Sequence, residues 1–253
     1  MDRRYGWKKD SLDFRDKVLR VEEVANLPAS IDWRHGMPVV YDQGQLGSCT
    51  ANAIAAAHEF DQMKQGNDIG TPSRLFIYYN ERVMEHSVNQ DAGAQIRDGV
   101  KSINKQGVCP EAEWPYDITK FKERPTDQSY IDALKHQSLI YKSVIQTLAA
   151  LKNALVSGFP VIFGFTVYDS FESQQVAKTG IVSLPKKSEI ILGGHAVLLV
   201  GYDDSLYAGK GGWIVRNSWG TDWGQAGYFT MPYFYLTNKK LASDFWVINS
   251  VEV

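Results

Sequence analysis

A glycine-rich loop, Asp42-Gln43-Gly44-Gln45-Leu46-Gly47-Ser48, delivers Cys49 to the first turn of an alanine-rich stretch that reads as a helix from Ser48 to about Met63. A thiol is a weak nucleophile until it ionises, and its ordinary pKa is about 8.5. At a helix start the aligned peptide dipoles and unpaired N–H groups favour the thiolate. Gln43, just upstream, offers a side-chain amide that can stabilise the oxyanion of an acyl-transfer intermediate. Such a nucleophile needs a base. His58 falls on the cysteine's own helix and cannot fold back onto it, while His35, His86 and His136 stand in mostly polar surroundings. His195 is different: it follows Gly193-Gly194 and opens the apolar run Ala196–Tyr202, which reads as a buried strand. Beyond the turn region Asp203–Gly212, a second strand, Trp213–Trp219, carries Asn217. Antiparallel pairing of the two strands brings Asn217 towards His195, where an amide fixes the imidazole's tautomer without adding charge.

The elements that must position these residues fall into two halves. In the first, Ser73–Val83 and Ala94–Ile103 have helical apolar spacing, and Cys109–Asp127, with Pro110, Pro115 and Pro125, reads as an irregular crossover. The second begins with a helix near Ile145–Val156 and turns to strands at Val161–Val167, His195–Tyr202, Trp213–Trp219, Gly227–Met231 and Phe245–Val251. The class is α+β, without repeats or low-complexity segments. With 253 residues and 44% hydrophobic content, the chain can bury one or two substantial cores. A formal net charge of −2 gives no reason to expect nucleic acid as a partner. No window approaches the roughly 18 apolar residues of a membrane span, and the N-terminus has no apolar signal core. Only two cysteines are present, so a catalytic Cys49 leaves Cys109 as a structural thiol without a disulfide partner. That favours a reducing compartment, the cytoplasm. No metal or cofactor is needed by this chemistry. Each residue alone has an ordinary explanation, a small buried thiol or a satisfied core histidine; their combination carries the reading.

Four segments resemble the papain-like cysteine peptidases, and specifically a disulfide-poor member of bacterial or viral type. They are Leu27-Pro28-Ala29-Ser30-Ile31-Asp32-Trp33-Arg34, Asp42-Gln43-Gly44 with Gly47-Ser48-Cys49, Gly194-His195-Ala196-Val197, and Asn217-Ser218-Trp219-Gly220-Thr221-Asp222-Trp223-Gly224. Their order matches along roughly residues 27–231. The resemblance implies a two-lobed fold with the active-site cleft between lobes: a helical lobe over 27–135 carrying the nucleophile, and an antiparallel β-rich lobe over 136–253 carrying His and Asn. It implies Cys49, His195, Asn217 and Gln43 as catalytic residues, a peptide or protein as substrate, and a shield over the His–Asn pair from Trp219. It also places Gly93 on the cleft wall and Gly194, Ala196 and a residue near Ser243 or Asp244 at the main specificity pocket. Apolar or aromatic side chains are expected there, or basic ones if Asp244 reaches it. Two departures stand out: Leu46 replaces a half-cystine, and Thr50 replaces an aromatic beside the nucleophile. Asn217 also lies farther along than usual, which puts extra residues in the Asp203–Gly212 hairpin. An inert binding or inhibitory protein, or an acyltransferase or ligase, could use the same scaffold. Residues 1–26 are far shorter than the family's usual pro-region, yet Tyr5 and Trp7 on a polar segment suggest docking over or beside the cleft, a zymogen device, the alternative being a flexible or surface-packed tail.

Overall fold

Period-two apolar residues draw most of the second half into one antiparallel sheet, seen in a computed structural model that describes residues 4–21, 24–67 and 70–251. Residues 1–3 and 22–23 of the expected N-terminal segment lie outside the described residues. Strands β4 (Ser138–Ser143), β5 (Val161–Tyr168), β6 (Ile191–Asp203), β7 (Gly212–Arg216), β8 (Tyr228–Pro232) and β9 (Ala242–Val251) run in the spatial order β4-β9-β5-β6-β7-β8, and β2 (Ser30–Asp32) pairs with β6. The alternation of β6 serves two cores. Ala196, Leu198 and Val200 join one apolar cluster; Val197, Leu199 and Tyr202 join the other. A register shift between Leu199 and Gly201 passes this alternation on to Tyr202.

Helix α1 (Cys49–Lys64) lies against β6 and β9, with every side chain from Cys49 to Gln62 buried. A helix buried all round belongs inside a core. Ala51, Ala53, Ala55, Ala56 and Ala57 let its neighbours approach closely. Helices α2 (Arg74–Met84) and α3 (Ile96–Gln106) pack beside it, and Leu75, Phe76, Ile77, Val100 and Ile103 complete the first cluster. The second cluster fills the space behind the sheet under α4's successor α5 (Leu148–Val156), with α4 itself at Asp127–Ala133. The expected helices and strands are all present, with shifted ends. Thr147 caps α5 by accepting from the Ala150 N–H, so that helix starts at Leu148 rather than Ile145. Ala94–Gln95 is not helical but forms β3, which pairs in parallel with β1 (Trp7–Lys8). Strand β7 ends at Arg216, so Asn217 stands just past it. Strand β4 was not expected from sequence.

His58 lies wholly buried on α1, and neither ring nitrogen has a hydrogen-bond partner among the described residues. Burial pushes its pKa down to about 3, with a smaller contribution from His136. The folded chain therefore keeps a neutral imidazole that the unfolded chain protonates below about 6.5. Stability from this residue is complete above that pH and falls as pH drops towards 3. His58→Leu should lessen the acid loss by on the order of 3 kcal/mol at pH 4. Thermal melts of both proteins at pH 7 and pH 4 measure it; an unchanged gap between the two pH values would refute the assignment.

Candidate active site

Cys49 is the first residue of α1, and its neighbours come from three parts of the chain. The backbone N–H groups of Ala196, Gly6 and Thr50 are directed at its thiol. Ala196 follows His195, so the strand that carries the imidazole also touches the sulfur. His195 Nε2 lies 2.8 Å from Asn217 Oδ1. An amide oxygen only accepts, so Nε2 carries the proton and Nδ1 is the ring atom able to take one. The same Oδ1 accepts from the Ser218 N–H at 2.9 Å. Trp219 stacks on the imidazole, centroids 5.0 Å apart and planes 27° from parallel.

Gln43 is 1% exposed, and its side chain is held at both ends. Ser218 Oγ donates to Gln43 Oε1 at 2.7 Å, so the amide N–H₂ faces the cleft. Gln43 Nε2 donates to Leu46 O at 2.9 Å and to Arg4 O at 3.3 Å. Asp91 braces the opposite wall: it accepts from the Gly47 N–H at 3.0 Å and from Tyr78 Oη at 2.5 Å. Ser218 and Asp91 are not among the site residues expected from sequence; they hold Gln43 and the Gly47 loop in place. Among the described residues, no group of three His, Cys, Asp or Glu side chains gathers to hold a metal.

The cleft is occupied by the chain's own N-terminal segment. Arg4 O meets Gln43, Tyr5 lies edge-on to His195, and the Gly6 N–H meets Cys49. Gly6 O accepts from the Ala94 N–H at 2.7 Å beside Gly93, whose φ of +67° turns the wall outward. A Cβ on Gly6 would overlap the Gly47 carbonyl oxygen, so only glycine passes here. Next in the segment, Trp7 fills the pocket expected at Gly194. Its ring lies where a Cβ on Gly164 or Gly194 would be, and its Nε1–H donates to Asp244 Oδ2 at 3.1 Å. Asp244 therefore meets the Trp7 indole. Ala196 contributes its N–H to the sulfur, and its side chain is buried in the first core.

The sequence alone suggested a thiol activated by its helix. In this closed arrangement desolvation wins, and burial pushes the Cys49 pKa up to about 11 despite the three N–H groups. Asp10 anchors the segment. Its N–H donates to Asp244 Oδ2 at 2.8 Å, while its carboxyl accepts from Trp246 Nε1 at 2.7 Å and from the Arg97 N–H at 3.2 Å. Burial, and then the charge of Asp244, push the Asp10 carboxyl up to about 7.

A family model described as papain family cysteine protease matches residues 27–243. An uncharacterized peptidase C1-like protein of Acanthamoeba polyphaga mimivirus is 46% identical over 245 residues, covering 93% of this chain and 75% of its own length. Vignain of Vigna mungo is 28% identical over 221 residues, covering 83% of this chain and 56% of vignain. The crystal structure of xylellain, a cysteine protease from Xylella fastidiosa, superposes with a TM-score of 0.90 at 43% identity, covering 100% of this chain and 99% of that one.

Two outcomes follow for the N-terminal segment. Gly6→Ala should displace it and speed alkylation of Cys49 by iodoacetamide at pH 6 by at least about tenfold; an unchanged rate would show that the segment does not limit access. The pH dependence has a definite sign. A carboxyl whose pKa is raised on docking holds the segment best below about pH 4 and progressively less as pH rises to about 7. Asp10→Asn should therefore remove most of the difference in alkylation protection between pH 5 and pH 8, measured relative to Gly6→Ala at the same pH.

Proposed function

Because the chain belongs to the papain family of cysteine proteases, we propose that it is an endopeptidase that works through Cys49, His195 and Asn217 and is held latent by its own residues 4–10. The observation that carries this reading is the convergence at Cys49. The strand bearing His195 donates Ala196 N–H to the thiol, and Asn217 fixes the imidazole with Nε2 protonated. With the segment displaced, water and the start of α1 lower the cost of the thiolate, and His195 Nδ1 takes its proton. The sulfur attacks the scissile carbonyl, whose oxygen receives hydrogen bonds from Gln43 Nε2–H and the Cys49 N–H. Arg4 O, 3.3 Å from Gln43 Nε2, marks where a carbonyl oxygen sits. His195 then protonates the leaving amine, the C–N bond breaks, and a thioester remains. Water, deprotonated by the same imidazole, releases the acid and the thiol.

The direction of the segment explains how it survives in the cleft. Under this reading the acyl side of a substrate lies along Gly93 and the Trp7 pocket, and its amine side lies by His195 and Trp219. The segment runs from Tyr5 at His195 to Trp7 in the pocket, opposite to a substrate. No peptide bond is offered to the sulfur in the cleavable sense. The pocket carries Asp244 at its polar end, which supports aromatic side chains with a donor, and basic ones, in preference to plain aliphatic ones. Two free cysteines support a place of work in a reducing compartment.

The test uses Gly6→Ala as the opened enzyme on internally quenched peptides. Cys49→Ala in that background should abolish hydrolysis, a loss of several orders of magnitude, and His195→Ala should come close to it. Asn217→Ala should be milder, because an orienting group is more dispensable than the base. A fast-alkylating Gly6→Ala protein that cleaves no peptide would leave a binding protein; one that passes the acyl group to added amines rather than to water would be a transferase.

A further inference from the structure

The two aromatic residues of the segment occupy opposite ends of the cleft, and each gives a donor to a carboxylate. Trp7 meets Asp244 in the acyl-side pocket. At the other end, the Tyr5 hydroxyl donates to the Glu172 carboxylate. We propose that Glu172 is a specificity-determining residue of the leaving-group side, selecting a tyrosine or a basic side chain in the residue that follows the scissile bond. This rests on the peptidase reading above.

The position of Tyr5 defines the subsite. Its ring centroid lies 6.1 Å from that of His195 and 6.4 Å from that of Trp219. Its Cβ rests over Gly193, where an added Cβ would come within 2.8 Å of it. The floor is therefore the group that protonates the leaving amine and the indole stacked on it. Glu172 closes the far end from the short 3-10 turn Asp169–Glu172. That turn is well anchored, because the preceding residue, Phe171, is 1% exposed and packs on Trp219 at 5.4 Å, Trp223 at 5.6 Å and Phe229 at 5.3 Å. The carboxylate itself is exposed, and among the described residues no Lys, Arg or His forms an ion pair with it.

An aromatic floor with a carboxylate at its end discriminates by simple chemistry. The rings accept any flat or aliphatic stem. The carboxylate accepts hydrogen bonds and attracts cations, so a phenol, an ammonium or a guanidinium gains a partner there. Leucine and phenylalanine gain only the floor. Aspartate and glutamate meet repulsion.

The test measures kcat/KM on quenched peptides that differ only in the residue after the scissile bond: Tyr, Lys, Leu or Glu. Opened Gly6→Ala enzyme should prefer Tyr and Lys over Leu by about tenfold, the scale of one hydrogen bond to a charged group. Adding Glu172→Gln should remove the Lys preference and weaken that for Tyr. Adding Glu172→Lys should move the preference to Glu, a gain that loss of structure could not produce. Adding Tyr5→Phe to Gly6→Ala is the control: it removes the segment's own donor to Glu172 while keeping Glu172, and its preference should match that of Gly6→Ala. Equal preferences with and without Glu172, or none in Gly6→Ala, would overturn the proposal while leaving the peptidase standing. No cleavage of any peptide by any of these proteins, with Cys49 still rapidly alkylated, would overturn both.

Discussion

Contact between the Cys49 thiol and the Ala196 N–H ties the start of helix α1 to strand β6 within the first core. Helix α1 can place a nucleophile beside a strand only because the alanine face beneath it lets the sheet come close. Strand β6 can serve both sides only because its alternate residues are apolar in both directions. The positions of His195 and Asn217 are then set by register. Pairing of Leu198 with Arg216 leaves Asn217 at the end of β7, near His195 on β6. Ser218, one residue on, reaches Gln43. Thus one short stretch, Asn217–Ser218, orients His195 and Gln43 together.

Two physical effects oppose each other at the sulfur. The start of α1 and its N–H groups favour charge there; removal of water disfavours it, and with the cleft filled the second prevails. The N-terminal segment therefore acts in two ways. It fills the cleft beside Cys49, and burial there favours the protonated thiol. The same segment carries an acid in its own anchor, since Asp10 is half-buried beside Asp244 while Arg97, Trp246 and Lys9 supply the compensating donors and charge.

Much of this arrangement was legible in the sequence, because strong local signals carry it. The glycine-rich loop before an alanine helix, the apolar run after His195 and the Asn217 strand end each announce themselves within a few residues. Boundaries were less legible where a distant contact moved them. Ala94–Gln95 has helical spacing, but β1 pulls it into a ladder. Strand β4 leaves a weak signal, because its adjacent apolar residues Leu139 and Ile140 are both exposed and break the alternation. Tyr5 and Trp7 could be read as anchors, yet their partners, Glu172 and Asp244, lie far along the chain, and only the fold pairs them. Ser218 and Asp91 act through other residues, so no spacing rule reveals them.

The parallel pairing of β1 with β3 holds the N-terminal segment in the cleft from within one chain. The blocking strand is part of the same covalent chain, so its local concentration at the cleft is set by a tether, on the order of millimolar for short flexible linkers. Opening is then a unimolecular event. Dilution after synthesis leaves the closed fraction unchanged, and a peptide competing for the cleft must outcompete a neighbour that never diffuses away.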